Sequence, residues 1–285
     1  MKFTIIGITD SPTPHLAPEV LDVIHHGKVF SGGKRHHEIV ASLLPEEAEW
    51  IDIVAPLDAT LSQYHGHVVV FASGDPLFYG FANTLRRKMP DAEIELHPTF
   101  NSLQMLAHRL LLPYHDMHIV ALTGRPWAEF DRALIERRQK IGILTDHTHT
   151  PPAIAARMLE YGYTGYTMHV GEHLGNPSCE KISSLPAEEA VNMEFSHPNC
   201  IILYTPQTKP RLFGIPDTEF ALLDGREKMI TKMPIRLLTL QALGLAHKHV
   251  FWDIGFCTGS VSIEARLQFP HLHIEAFEIR RECEA

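Results

Sequence analysis

Val68-Val69-Val70-Phe71-Ala72-Ser73-Gly74-Asp75-Pro76-Leu77-Phe78-Tyr79-Gly80 reads as a buried strand that ends in a tight turn and then starts a helix. The apolar run Val68–Ala72 is too short for a helix and is rich in β-branched residues. Gly74 lets the backbone approach a ligand closely, and Pro76 fixes the turn and gives up its N–H. In open α/β sheets, ligands lie outside the carboxyl ends of strands, where this loop falls. An ordinary strand-to-helix turn is the alternative reading of the same residues.

The pattern continues on both sides. Candidate strands are Phe3–Ile8, Lys28–Ser31, Trp50–Val54, His67–Ala72, Glu93–His97, Met117–Leu122, Lys140–Leu144, Tyr166–Val170 and Cys200–Tyr204. The clearest helices are Phe78–Lys88, Ser102–Leu111, Trp127–Arg138 and Pro152–Tyr161. Strands alternating with helices over short connections mean an α/β architecture. No internal repeat or low-complexity tract interrupts it.

The order breaks after Tyr204. Residues 205–216 contain three prolines and little periodicity, and read as a linker between a first domain, 1–204, and a second, 217–285. The second holds a helix from about Pro234 to Leu243, a strand Val250–Ile254, a helix Ser260–Gln268 and a strand His273–Ile279. A doubly wound sheet has roughly five strands or more. Two strands make this domain incomplete, and the sequence is expected to be a shortened form of a longer protein.

The composition sets limits on function. The chain has 285 residues, 45% of them hydrophobic and 21% charged, as in an ordinary soluble globular protein. A net charge of −9 argues against a nucleic-acid binder, which needs a basic face. No apolar run approaches membrane-spanning length. Cys179, Cys200, Cys257 and Cys283 form no CxxC pair and read as reduced thiols of a cytoplasmic protein. The 20 histidines include four His-x-His pairs. None has a cysteine or carboxylate at ligand spacing, so no metal site is expected.

In the second domain, a strand ends near Asp253, a loop holds Gly255 and Gly259, a helix follows, and Glu278 ends the next strand. This is the layout of a nucleotide-type cofactor site. It departs from GxGxxG. It resembles the first motif of class I S-adenosylmethionine methyltransferases, D-x-G-x-G-x-G, with Cys257 in place of the middle glycine. A simple packing role is the alternative for Gly259, and Glu264 reads as a solvated helix residue.

Further motifs follow in order. They are Gly32-Gly33-Lys34-Arg35-His36, Ser73 to Gly80, Pro98-Thr99-Phe100-Asn101-Ser102, Ala121-Leu122-Thr123-Gly124-Arg125-Pro126, Leu144-Thr145-Asp146 with Thr150-Pro151-Pro152, and Gly171-Glu172-His173-Leu174-Gly175. Together with Gly214 to Phe220 and Ile230-Thr231-Lys232 they resemble the precorrin-6Y C5,15-methyltransferase (decarboxylating) family. In that family a tetrapyrrole-methylase domain of two α/β subdomains is fused to a Rossmann-like class I methyltransferase domain. Some positions depart from the family pattern: the first loop, Gly7-Ile8-Thr9-Asp10-Ser11-Pro12, has only one glycine, Thr99 and Asn101 replace small residues, and Thr123 replaces a histidine.

The resemblance implies S-adenosylmethionine as cofactor and C-methylation of a corrin precursor in cobalamin biosynthesis. The first domain would methylate C5. The complete second domain would methylate C15 and decarboxylate the C12 acetate. It implies a homodimer, and a tetrapyrrole rather than nucleic acid or membrane as partner. Gly74, Asp75, Pro76, Leu77, Phe78, Ser102 and Leu122 would hold the cofactor in the first domain, and Asp253, Gly255, Gly259 and Glu278 in the second. Asp75 has a second role open to it, as a turn-former or helix cap. A polycarboxylate needs cations, and Lys34, Arg35 and Arg125 on expected loops are the candidates, with plain surface charge as the alternative. Methyl transfer needs positioning rather than a catalytic triad, which suits the absence of triad spacing. Two other readings stay open: an enzyme of the same fold with another substrate, and a non-catalytic cofactor-binding or assembly protein.

Overall fold

The computed structural model describes every residue except 208, 209, 224, 225, 227, 284 and 285. Two residues of the expected linker, 208 and 209, are therefore outside it. Contacts divide the chain into two units, Met1–Arg125 with Lys140–Thr205, and Pro126–Gln139 with Pro206–Ala285.

The first unit contains two five-stranded sheets. One is built from β1 (Lys2–Ile8), β2 (Val29–Gly32), β3 (Glu49–Asp52), β4 (His67–Ser73) and β5 (Glu93–His97), in the order β3-β2-β4-β1-β5. All its pairings are parallel. Central β1 and β4 are buried on both faces, which is why each reads as a continuous apolar run. Phe3, Ile5, Val68 and Val70 face one core with Ala82 and Leu85. Ile6, Ile8, Val69 and Phe71 face the other with Val20, Ile24 and Val40. The register Ile8↔Ser73 ends the two central strands side by side.

The other sheet is mixed: β6 (His118–Ala121), β7 (Lys140–Leu144), β8 (Thr167–Glu172), β9 (Lys181–Pro186) and β10 (Asn199–Tyr204), in the order β6-β7-β10-β8-β9. Only β6 and β7 pair in parallel; the other pairings are antiparallel. Strand β9 carries no apolar run, so hydrophobic patterning does not reveal it. It is an edge strand with a single buried residue, Leu185, and a proline at its end.

Two helices begin differently from expectation. Lys34 and Arg35 do not lie on a loop; they open the helix Lys34–Val40. The helix after the Gly-Asp-Pro turn starts at Phe81 rather than Phe78. Asp75 Oδ1 accepts the Leu77 N–H at 2.8 Å, the Asp75 carbonyl accepts the Phe78 N–H, and Tyr79 takes a positive φ of 55°. That turn occupies three residues before helical geometry can begin.

The second unit pairs β11 (Val250–Ile254) with β12 (His273–Phe277) in parallel. Leu240, Leu245, Ala265 and Leu272 form its core. Two expectations are corrected here. Glu264 is not solvated; it is 0% exposed. Its carboxylate accepts the N–H groups of Gly214 and Ile215 at 2.9 and 3.0 Å and faces Arg236 Nε at 3.4 Å. Residues 214–216 are accordingly not free linker: Ile215 is buried with Phe220 and Ile230.

Candidate active site

In the first unit, the ends of β1 and β4 meet the start of the helix Ser102–Arg109. Gly74 has φ +61°, and a Cβ there would lie 2.7 Å from Asn101 Cα. The close approach this glycine permits is that of the Thr99–Asn101 backbone. The Thr99 N–H donates to the Gly74 carbonyl at 3.2 Å, and the Gly74 N–H to the Ile8 carbonyl at 2.9 Å. Gly7 serves the same junction, since a Cβ there would fall 1.9 Å from Gly74 O. Asn101 caps the following helix. Its Oδ1 accepts the Gln104 N–H at 2.9 Å, and Gln104 Oε1 accepts the Asn101 N–H at 3.0 Å. The departure from a small residue at this position is thus a helix cap.

A cavity of about 130 Å³ opens at this junction, with Asp10, Arg35, Ser73, Gly74, Phe100 and Ser102 among its walls. Its polar side is a connected network. Arg35 Nη1 donates to Asp10 Oδ1 at 2.7 Å and Nη2 to Ser73 Oγ at 2.8 Å. His173 Nδ1 meets Asp10 Oδ2 at 2.9 Å. His36 Nε2 meets Ser73 Oγ at 2.9 Å, and its Nδ1 accepts the Gly33 N–H at 3.2 Å. Burial, with the Arg35 guanidinium beside it, pushes the His36 imidazole down to about 4. Arg35 is therefore not a loose surface charge but a fixed bridge. The sequence alone does not single out Asp10, Ser73, His36 or His173. Three lie in the quoted motifs without a role: His36 beside Arg35, Ser73 before Gly74, and His173 after Glu172. Asp10 lies in the loop directly after β1.

A second cavity, about 390 Å³, lies along Leu77, Phe78 and Tyr79, with Arg87 and Arg125 on its walls. Arg125 stacks over Tyr79, 5.0 Å from the ring centre. Its loop is pinned by Asp146, whose Oδ2 accepts the Gly124 N–H at 2.9 Å while Oδ1 accepts those of Thr148 and His149. Burial opposes the charge on Asp146, but these backbone donors and the His149 ring outweigh it and hold the carboxyl well below the usual range.

The other expected residues divide. Pro76 is buried, and Asp75 acts as the turn-former. Phe78 packs against the Leu103–Cys200 core. Leu122 is fully buried, with its N–H on Leu144 O and its carbonyl accepting from Arg125 N, and it borders neither cavity. Lys34 is exposed and borders neither. Leu77, Tyr79 and Phe100 are 42%, 49% and 55% exposed beside the cavities. Such apolar surface beside polar donors fits the adenosyl part of S-adenosylmethionine.

In the second unit, Asp253, Gly255 and Cys257 border a cavity of about 330 Å³. Asp253 accepts from Ser262 Oγ at 2.6 Å. Gly255 and Gly259 have φ of +83° and +65°, and Cys257 adopts +52°, the conformation a glycine would take freely. Glu278 stands by the same loop, but both its oxygens are engaged, by the Arg280 side chain and by the N–H groups of Cys257, Ile279 and Arg280. The Arg280 donors, with Cys257 and Ile279, hold its carboxyl down to about 2. This arrangement does not fit a carboxylate free for ribose hydroxyls. Among the described residues, Asp10, His173 and Cys179 bring ligand atoms within 4.8 Å of one another. The Arg35 guanidinium on Asp10 opposes a cation there.

Two family models match the chain. The model of the Tetrapyrrole (Corrin/Porphyrin) Methylases matches residues 2–191, and that of the Precorrin methyltransferase domain matches residues 224–285. A precorrin-6Y C(5,15)-methyltransferase [decarboxylating] of Sinorhizobium sp is 29% identical over 284 residues, covering 98% of this chain and 68% of that protein. A cobalt-precorrin-7 C(5)-methyltransferase of Salmonella typhimurium is 28% identical over 204 residues, 70% of this chain and 98% of that one. The crystal structure of a uroporphyrin-III C-methyl transferase from Thermus thermophilus, complexed with S-adenyl homocysteine, shares the fold. Its TM-score is 0.53 at 19% identity, over 72% of this chain and 92% of that one. The chain belongs to the tetrapyrrole (corrin/porphyrin) methylase family and is an S-adenosylmethionine-dependent methyltransferase.

Proposed function

We propose that the first unit methylates C5 of a precorrin-type tetrapyrrole in cobalamin biosynthesis. The observation that carries this is the match of 70% of the chain to 98% of a cobalt-precorrin-7 C(5)-methyltransferase, beside a tetrapyrrole-methylase match over residues 2–191. S-adenosylmethionine supplies, when bound, a methyl group already activated on a sulfonium. The chain supplies position. Gly74 and Ser102 border one cavity and Leu77 and Phe78 the other. Arg35 and Arg125 face the two cavities with planar donors suited to the carboxylates of the substrate. C15 methylation and loss of the C12 acetate carboxyl belong, in this reading, to the domain of which residues 217–285 are part. The working protein is a cytoplasmic homodimer.

Calorimetric titration with S-adenosylhomocysteine tests the cofactor half of the proposal. One site per chain is expected, and Gly74→Val should abolish it by displacing Asn101. Methyl transfer to cobalt-free and cobalt-containing C5-unmethylated precorrins tests the rest. Transfer to a carbon other than C5, or to neither substrate, would refute the assignment.

A further inference from the structure

The hydrogen bonds around Ser73 restrict what can bind there. The Ser73 oxygen has two lone pairs and one proton. Arg35 Nη2 has no lone pair and can only donate, at 2.8 Å. His36 Nδ1 accepts the Gly33 N–H, so in the neutral ring the proton is on Nε2, and Nε2 also donates to Ser73 Oγ, at 2.9 Å. Both lone pairs are thereby used. The hydroxyl proton is left over, on a side chain that is exposed and borders the cavity.

The surrounding charges sharpen that donor. The Arg35 charge is balanced by Asp10, whose other oxygen is held by His173. Withdrawal of electron density from the Ser73 oxygen by a guanidinium and an imidazole N–H makes its remaining proton a better donor. What suits it is an acceptor without a proton of its own, and a carboxylate oxygen is the strongest such acceptor. We infer that Ser73 binds a ligand carboxylate through its hydroxyl proton, in an orientation imposed by Arg35 and His36. The inference rests on the proposed function, since both the tetrapyrrole and the cofactor carry carboxylates. In this arrangement the segment Gly33–His36 aims a serine on the neighbouring strand.

The test compares the full chain with Ser73→Ala and Ser73→Thr. The probes are uroporphyrin III, an octacarboxylate followed by its fluorescence, and S-adenosylhomocysteine, followed by calorimetry. Ser73→Ala should weaken one probe by roughly tenfold to a hundredfold, the effect of losing a hydrogen bond to a charged group. Ser73→Thr should keep wild-type affinity. Loss for uroporphyrin alone assigns the carboxylate to the tetrapyrrole; loss for S-adenosylhomocysteine alone assigns it to the cofactor. A lost neutral donor lowers affinity by the same factor at every salt concentration, whereas a displaced Arg35 flattens the salt dependence. Unchanged affinity for both probes, or a flattened salt dependence, would overturn the inference. Failure of the wild-type chain to bind uroporphyrin would instead count against the proposed function and is seen before any variant is made.

Discussion

Replacing Glu264 by Gln should unlock the second unit. Glu264 and Arg236 are both 0% exposed, and three donors converge on the carboxylate: the Gly214 and Ile215 N–H groups and Arg236 Nε. A glutamine offers one oxygen and turns an NH₂ toward at least one of these donors. Breaking a buried ion pair costs about 3–5 kcal/mol. Arg236 has other partners, however. Its Nη1 donates to Asp217 at 3.1 Å and to the Thr231 carbonyl at 2.7 Å, Nη2 donates to the Ile215 carbonyl, and the guanidinium lies over the Phe220 ring. These keep its charge partly compensated, so the expected loss is about 2–4 kcal/mol. Hydrogen exchange followed by mass spectrometry reads this locally. At about 1.4 kcal/mol per tenfold, peptides over β11 and β12 should exchange roughly 30-fold to several-hundred-fold faster, with β1 and β4 as internal reference. The double variant Glu264→Gln/Arg236→Met removes the uncompensated charge and should cost less than the two single losses summed. Acceleration below about fivefold, or strict additivity, would show that the pair is not what fastens residues 214–217 to this unit.

Other outcomes follow from the same structure. Gly7→Ala places a methyl 1.9 Å from the Gly74 carbonyl, and should cost about 1–3 kcal/mol or more and weaken S-adenosylhomocysteine binding; wild-type melting and affinity together would refute the junction. Acid should destabilise the first unit in two stages. His36 titrates near 4 when folded and near its ordinary 6.5 when unfolded, so its contribution is full above about 6.5 and is lost as pH falls toward 4. Allowing for partial exposure, that is on the order of 2 kcal/mol. Asp146 acts in the same direction at lower pH, because its folded carboxyl lies below the usual range. Melting midpoints between pH 7 and 4, compared with His36→Gln, should show the upper stage missing in the variant. Burial raises the Cys200 thiol to about 12, whereas Cys179 is exposed. Iodoacetamide should label Cys179 in the folded protein and Cys200 only after unfolding, as peptide mapping would reveal.

Much of this protein is written locally along the chain. The β-branched run at 68–72 forms a buried strand because both faces of a parallel sheet exclude water, and the Asp75-Pro76 turn follows from side-chain and ring geometry within a few residues. The ordered motifs likewise identify the family. Glu264 is misleading in sequence although its position carries a signal, since it shares a helical stripe with Val261, Ala265 and Gln268. A carboxylate on that stripe reads as solvated unless its partners, Gly214, Ile215 and Arg236, are known, and they are remote in sequence. The same limit applies to the first-unit site. The glycine at 74 is legible, but the Asn101 backbone that requires it lies beyond β5. Arg35 is legible as a cation. That Asp10 would neutralise it, that His36 would lend a proton rather than a charge, and that Ser73 would be left with one hydrogen to offer depended on three strand ends meeting. Hydrophobic periodicity and turn chemistry act over a few residues and are set by the sequence alone. Charge, proton position and access depend on which distant groups the fold brings within about 3 Å, and only the tertiary structure determines that.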